Sequence, residues 1–161
     1  GVAMKKQRST PRSPAPDDGL VDALVTSAFV TMSIINRIGA AHDLSLSLIR
    51  VLGILSDRRP RMAELAHYLG LEKQTMSGLI ARAEKRGLVE RAPNADDGRA
   101  TDVFLTSTGA KVVKQLQVQG RRALAPLLER LSASERRQLG ELLRRMLDAD
   151  DAEGAKGRAS S

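Results

Sequence analysis

The feature that most constrains this chain is a change of hydrophobic period at Gly87. Before it, Met62–Leu69 and residues 73–86 carry apolar side chains at helical spacing, separated by Gly70-Leu71. After it, residues 88–91 and Thr101–Leu105 read as short strands joined by Pro93-Asn94-Ala95-Asp96-Asp97-Gly98. Asp97-Gly98 is a hairpin signal because both residues tolerate positive φ. For the two short helices to pack, Leu65, Ala66 and Leu69 must meet Met76, Leu79 and Ile80. Ala66 is small enough for close approach, and Gly70 permits the sharp turn. Helix, tight turn, helix and hairpin together make a winged helix-turn-helix.

Helical patterns flank this unit on both sides. Leu20, Leu24, Ala28, Ile35 and Ile38, with Val21, Val25, Phe29 and Met32 beside them, form a wide apolar stripe. Asp17-Asp18 suits the positive end of that helix. A second helix over residues 45–57 turns Leu48, Val51, Leu52 and Leu55 inward and stops at Arg58-Arg59-Pro60. After the hairpin, Thr106 is an N-cap for a helix over 107–131, which Pro126 should bend or interrupt. Ser132 and Glu135 have the form of a capping box, opening a last helix to about Asp148. There Leu139, Leu142, Leu143, Met146 and Leu147 line one side, opposite Arg136, Arg137, Arg144 and Arg145.

The fold class expected is therefore mainly α with a small β-hairpin wing: a winged helix-turn-helix with a helical dimerisation region from the N- and C-terminal helices. Residues 1–16, rich in Lys, Arg, Ser and Pro, read as a flexible tail. Residues 17–44 form the first dimerisation helix, 45–105 the winged unit and 106–150 the C-terminal dimerisation helices. Residues 151–161 form a second flexible tail. A strong apolar stripe in so small a chain wants a partner surface, which points to a homodimer.

Charge and composition narrow the function. Lys and Arg exceed Asp and Glu by +7 over 161 residues, which favours a polyanionic partner. Phe29, Tyr68 and Phe104 are the only aromatic residues, too few for the stacking platforms of single-strand binders. The absence of Cys removes disulfides and thiolate metal sites. No uninterrupted apolar run of about 18 residues occurs, so no membrane span is expected. Met4-Lys5-Lys6-Gln7-Arg8 runs into Pro and Ser rather than an apolar stretch, so no signal peptide is expected either. The expected location is cytoplasmic.

The second helix of the pair offers Lys73, Gln74, Thr75 and Ser77 from its amino-terminal end to a major groove of double-stranded DNA. Gln74 can pair bidentately with adenine, and Lys73 can reach guanine or phosphate. Arg82, with Lys85 and Arg86, lies further along, nearer the DNA backbone. Arg99 follows the Asp97-Gly98 turn and suits a narrow, electronegative minor groove, while Arg91 sits at the hairpin base within reach of phosphate. Asp97 orients Arg99 or closes the turn.

Residues 62–109 resemble the core of the MarR (multiple antibiotic resistance regulator) family. The resemblance rests on MAELAHYLGLEKQTMSGLIARAEKRGLVER followed by DDGRATDVFLTSTG. It includes a wing element Asp97-Gly98-Arg99 and a strand ending in Leu105-Thr106-Ser107-Thr108-Gly109. The flanking helices match in order, so it covers roughly residues 17–150. Gly78 stands where many relatives carry a larger polar or basic side chain, and Gly98 where a second Arg is common. The resemblance implies a homodimer in which the first and last two helices interleave, binding to a pseudo-palindrome, and loss of DNA affinity when a small aromatic anion binds. Residues implied near such an effector are Ser33, Asn36, Arg37, His42 and Arg50.

No nucleophile elbow, phosphate-binding glycine loop or metal motif supports an enzyme, so no catalytic residue, metal or cofactor is expected beyond that effector. His42 and His67 lack the spacing of a metal pair. The competing expectation is a constitutive or architectural DNA-binding protein without an effector, which would share every feature of residues 62–105.

Overall fold

The computed structural model describes residues 17–159, with side chains to Asp148; the tail read over 1–16 lies outside the described residues. Eight elements follow in order: α1 (Asp18–Ala41), α2 (Leu46–Leu55), α3 (Met62–Leu69), α4 (Lys73–Lys85), β1 (Val89–Pro93), β2 (Thr101–Leu105), α5 (Ser107–Leu128) and α6 (Ala133–Ala159). The chain divides into two compact units, parting between Gln117 and Val118.

The core of the first unit lies where α2, α3, α4 and the hairpin converge. Val51, Leu52, Leu65, Met76, Ile80 and Val103 are completely buried, and among the described residues no buried polar side chain accompanies them. Leu65 and Ala66 of α3 meet Met76, Leu79 and Ile80 of α4 in this cluster, as the sequence predicts. Gly70 ends α3 in the left-handed conformation (φ 64°), and its N–H caps the helix on the His67 carbonyl. The expected sharp turn is therefore present. Ser45 opens α2 by accepting the Leu48 N–H at 3.2 Å.

The hairpin is antiparallel, from Val89 opposite Leu105 to Pro93 opposite Thr101. Its loop differs from the sequence expectation. Among the described residues only Asp43, Gly70 and Gly87 have positive φ, so Asp97-Gly98 is not a tight left-handed turn. The carboxamide oxygen of Asn94 instead accepts the N–H groups of Asp96 and Asp97 at 2.9 and 3.0 Å. The Asp97 carboxylate then accepts the Arg99 N–H at 3.1 Å. Side-chain acceptors hold a wider loop, and a wide loop needs no positive φ. The sequence also gave no sign that the α2–α3 connection pairs with the hairpin. Arg61 bridges Asp102, and the Val103 N–H donates to the Pro60 carbonyl at 2.9 Å.

Thr106 fastens α5 to the hairpin. Its hydroxyl accepts the Gly109 N–H at 2.9 Å and donates to the Gly87 carbonyl at 2.5 Å. A Cβ on Gly109 would lie 2.0 Å from the Leu88 carbonyl oxygen, so only glycine lets α5 start this close. The spacing Leu-Thr-x-x-Gly thus has a steric cause.

Gly39 is the sole buried residue of α1. A Cβ there would meet Ile49 Cδ1 at 2.4 Å, so the helix touches α2 through its last turns. Ile35 and Ile38 near that end are half-buried, while the amino-terminal part of the apolar stripe is bare, with Leu20 67% and Phe29 66% exposed. By length and composition α1 is apolar enough to cross a membrane, its best window reaching a mean hydropathy of 1.5. The sequence expectation of no such segment counted only uninterrupted runs, which Asp22, Thr26 and Arg37 break.

The second unit holds the end of α5 and all of α6. Pro126 falls in the last turn of α5, which ends at Leu128 rather than Leu131. The capping box forms as predicted: Ser132 N–H donates to Glu135 Oε1 at 2.8 Å, and Glu135 N–H to Ser132 Oγ at 3.1 Å. Helix α6 runs on to Ala159, through residues expected to be a tail. Extending an existing helix needs no new nucleus, and Ala, Glu, Lys and Arg are good helix formers. Among the described side chains of this unit none is buried.

Candidate nucleic-acid interface

Helix α4 is two-faced by construction. Met76, Leu79, Ile80 and Ala83 are buried, which fixes the rotation of the helix and leaves Lys73, Gln74, Thr75 and Ser77 exposed. Glu72 precedes the helix in extended conformation and makes no side-chain capping bond. The first intrahelical bond is Met76 N–H to the Glu72 carbonyl, so the N–H groups of residues 73–75 face outward with the polar side chains. Such an end favours anions through its dipole as well as its donors.

The hairpin brings Arg99 to an exposed position in its loop, its backbone held by Asp97. Arg91 is exposed but engaged: its Nη2 meets Glu84 Oε1 at 2.9 Å, tying β1 to α4. A phosphate approaching Arg91 therefore competes with Glu84. Arg82 is exposed on α4 and faces a cavity of about 480 Å³. Ala40, Asp43, Leu44, Ser45, Leu48, Leu79, Arg82 and Arg86 line that space.

None of the five residues implied for an effector lines this cavity. Ser33, Asn36 and Arg37 are exposed along α1, Arg50 is exposed on α2, and His42 is half-buried in the connection between them. Two arginines make contacts that the sequence did not predict: Arg86, read there only as lying near the DNA backbone, and Arg59. Arg86 donates to main-chain carbonyls of the α1–α2 connection, and the Arg59 guanidinium stacks on Phe104 with Cζ 4.0 Å from the ring centre. Neither contact has a sequence signal, because each joins residues distant along the chain.

Residues 42–100 match the sequence model described as the MarR family. The HTH-type transcriptional repressor NicR of Pseudomonas putida is 32% identical over 101 residues, 62% of this chain and 64% of the relative. Over its winged helix-turn-helix region the chain is similar to the MarR family. A second relative, the uncharacterised HTH-type transcriptional regulator YfiV of Bacillus subtilis, is 30% identical over 100 residues, 62% of each chain. The matches thus span a little over three fifths of these relatives' length. Mutant MarR from E. coli complexed with operator DNA has the same fold, with a TM-score of 0.64 and 25% identity. That alignment covers 81% of this chain and 94% of that one. The residues matched by the MarR family model run from the α1–α2 connection to the hairpin loop. They include α4 and Arg99.

Proposed function

We propose that this protein is a sequence-specific double-stranded DNA-binding transcriptional regulator that acts as a repressor, binding a pseudo-palindrome as a homodimer. The observation that carries this is the pairing of an exposed polar helix end, Lys73 to Ser77, with an exposed arginine on the adjoining hairpin loop. The helix end suits major-groove base edges, and the loop arginine suits the neighbouring minor groove. The family similarity and the operator complex of mutant MarR support the same assignment.

Dimerisation is proposed from the bare apolar faces. Helix α1 exposes Leu20, Val21, Leu24, Val25 and Phe29, and α6 exposes Leu142, Met146 and Leu147. Faces of this kind are covered in a stable protein. A second copy supplies the matching surface by two-fold symmetry, which in turn matches a palindromic operator.

Regulation by a small aromatic anion completes the proposal. The cavity beside α4 combines apolar walls from Leu44, Leu48 and Leu79 with the cation of Arg82, a lining suited to an aromatic carboxylate. Selection of bound genomic fragments by the purified protein tests the assignment. Recovered sites should contain half-sites about one helical turn apart, bound less tightly as salt rises. Recovery of no enriched sequence would overturn it. Repeating the selection with aromatic acids separates a ligand-responsive repressor from a constitutive binder.

A further inference from the structure

We infer that Arg59 is a phosphate-contacting residue of the DNA interface, held for that task by Phe104. The inference rests on the DNA-binding assignment above and adds a contact to it. Arg59 lies in the connection between α2 and α3, outside both helices of the helix-turn-helix and outside the hairpin. Two backbone contacts nevertheless bind this connection to the edge of β2: Arg61 bridges Asp102, and Val103 N–H donates to the Pro60 carbonyl. The connection is in effect a third, minimal strand of the wing.

That pairing sets Arg59 over Phe104. Val103 is fully buried, and neighbouring residues of a strand point to opposite faces, so Phe104 points away from the core. Its ring is half-buried, and the Arg59 guanidinium covers it at 4.0 Å while remaining exposed. Among the described residues no carboxylate forms an ion pair with Arg59. Stacking occupies the π-face of the guanidinium but leaves its N–H edge free in direction, which is the edge that binds phosphate. It also fixes a long side chain in advance, so less rotamer freedom is lost on binding.

The location fits a phosphate contact. Phe104 stands three residues along β2 from the loop end at Thr101, roughly 10 Å at strand rise. Arg59 therefore occupies the base of the same hairpin whose loop carries Arg99. An arginine at each position gives the wing one contact in the minor groove and one on the DNA backbone. Arg91, the other arginine near the hairpin base, is already ion-paired with Glu84.

The test is the salt dependence of binding to a short labelled duplex of arbitrary sequence, since phosphate contacts are independent of sequence. Wild-type protein, Arg59→Ala, Arg59→Lys, Phe104→Leu and Arg130→Ala are compared, with thermal unfolding checking that each is folded. Arg59→Ala should reduce the slope of log K against log salt by about 1. Arg59→Lys should keep the slope, because the charge remains. Phe104→Leu should also keep it, while weakening binding about two- to fivefold through loss of the stacking platform. Arg130→Ala removes the same charge from the turn between α5 and α6 and should leave the slope unchanged. An unchanged slope in Arg59→Ala, with wild type binding normally, would overturn this inference alone. An equal fall in Arg130→Ala would also overturn it, as an effect of net charge. No binding by wild type even in dilute salt would remove the DNA-binding assignment and this inference with it.

Discussion

The guanidinium of Arg86, at the end of α4, donates to the main-chain carbonyls of Asp43 at 2.5 Å and His42 at 3.0 Å. Asp43 is the one described non-glycine residue with positive φ (55°), so Arg86 holds the chain where it bends least willingly. The helix offered to DNA is thereby tied to the end of α1. Arg86→Ala should lower stability by about 1–2 kcal/mol, because two charge-assisted bonds are lost at an exposed site. Arg86→Lys should recover only part, since an ammonium lacks the fork. Asp43→Gly should be neutral or raise stability by up to about 1 kcal/mol by relieving the backbone. Urea unfolding measures all three.

Two glycines should respond oppositely to alanine. Gly109→Ala places a methyl against the Leu88 carbonyl and should destabilise by about 2–3 kcal/mol. Gly78 lies inside α4, where an added Cβ meets nothing nearer than Arg82 Nη1 at 3.7 Å. Gly78→Ala should therefore stabilise, by about 0.5–1 kcal/mol from helix propensity. Equal responses in thermal melts would contradict these close-approach distances.

Base recognition and backbone contact should separate by mutation. Gln74→Ala should relax discrimination at one base step by about 1–3 kcal/mol. Lys73→Ala should weaken all duplexes alike if it contacts phosphate. Arg99→Ala should weaken binding most at sites with narrow A·T-rich minor grooves. Competition binding with variant operators reads these differences.

Placing a charge on the bare apolar faces should disrupt assembly. Phe29→Asp and Leu143→Asp are each expected to shift sedimentation toward the monomer and to weaken the concentration dependence of melting that an associating dimer shows. Sedimentation unchanged in both would show that these faces are not the dimer contact.

The capping box of α6 should be acid-sensitive. Hydrogen bonds from the Ser132 backbone and side chain hold the Glu135 carboxyl below its usual range. The folded value is therefore lower than the unfolded one. The contribution to stability is complete above the unfolded value and is lost as pH falls through the folded one. The protection of the Ser132 amide, its exchange relative to the intrinsic rate, should fall over that acid interval in wild type, and Glu135→Gln should abolish that fall.

Local pattern alone determined the order of helices and strands, the packing of Leu65 and Ala66 on Met76 and Ile80, and the capping box at Ser132. Each depends on residues a few positions apart, whose periodicity and side-chain chemistry are written in the chain. The family resemblance was legible because the Leu-Thr-x-x-Gly text is local, although the contacts that require it, Thr106 on Gly87 and Gly109 against Leu88, cross about twenty residues. What required the folded chain were contacts between distant segments: Arg86 on the α1–α2 connection, Arg59 on Phe104 and the strand-like pairing of Pro60-Arg61. The cavity beside Arg82 belongs with them, since its walls come from the end of α1, the connection after it, α2 and α4. Directional bonds and stacking across long separations leave no periodic trace, so only three-dimensional proximity reveals them.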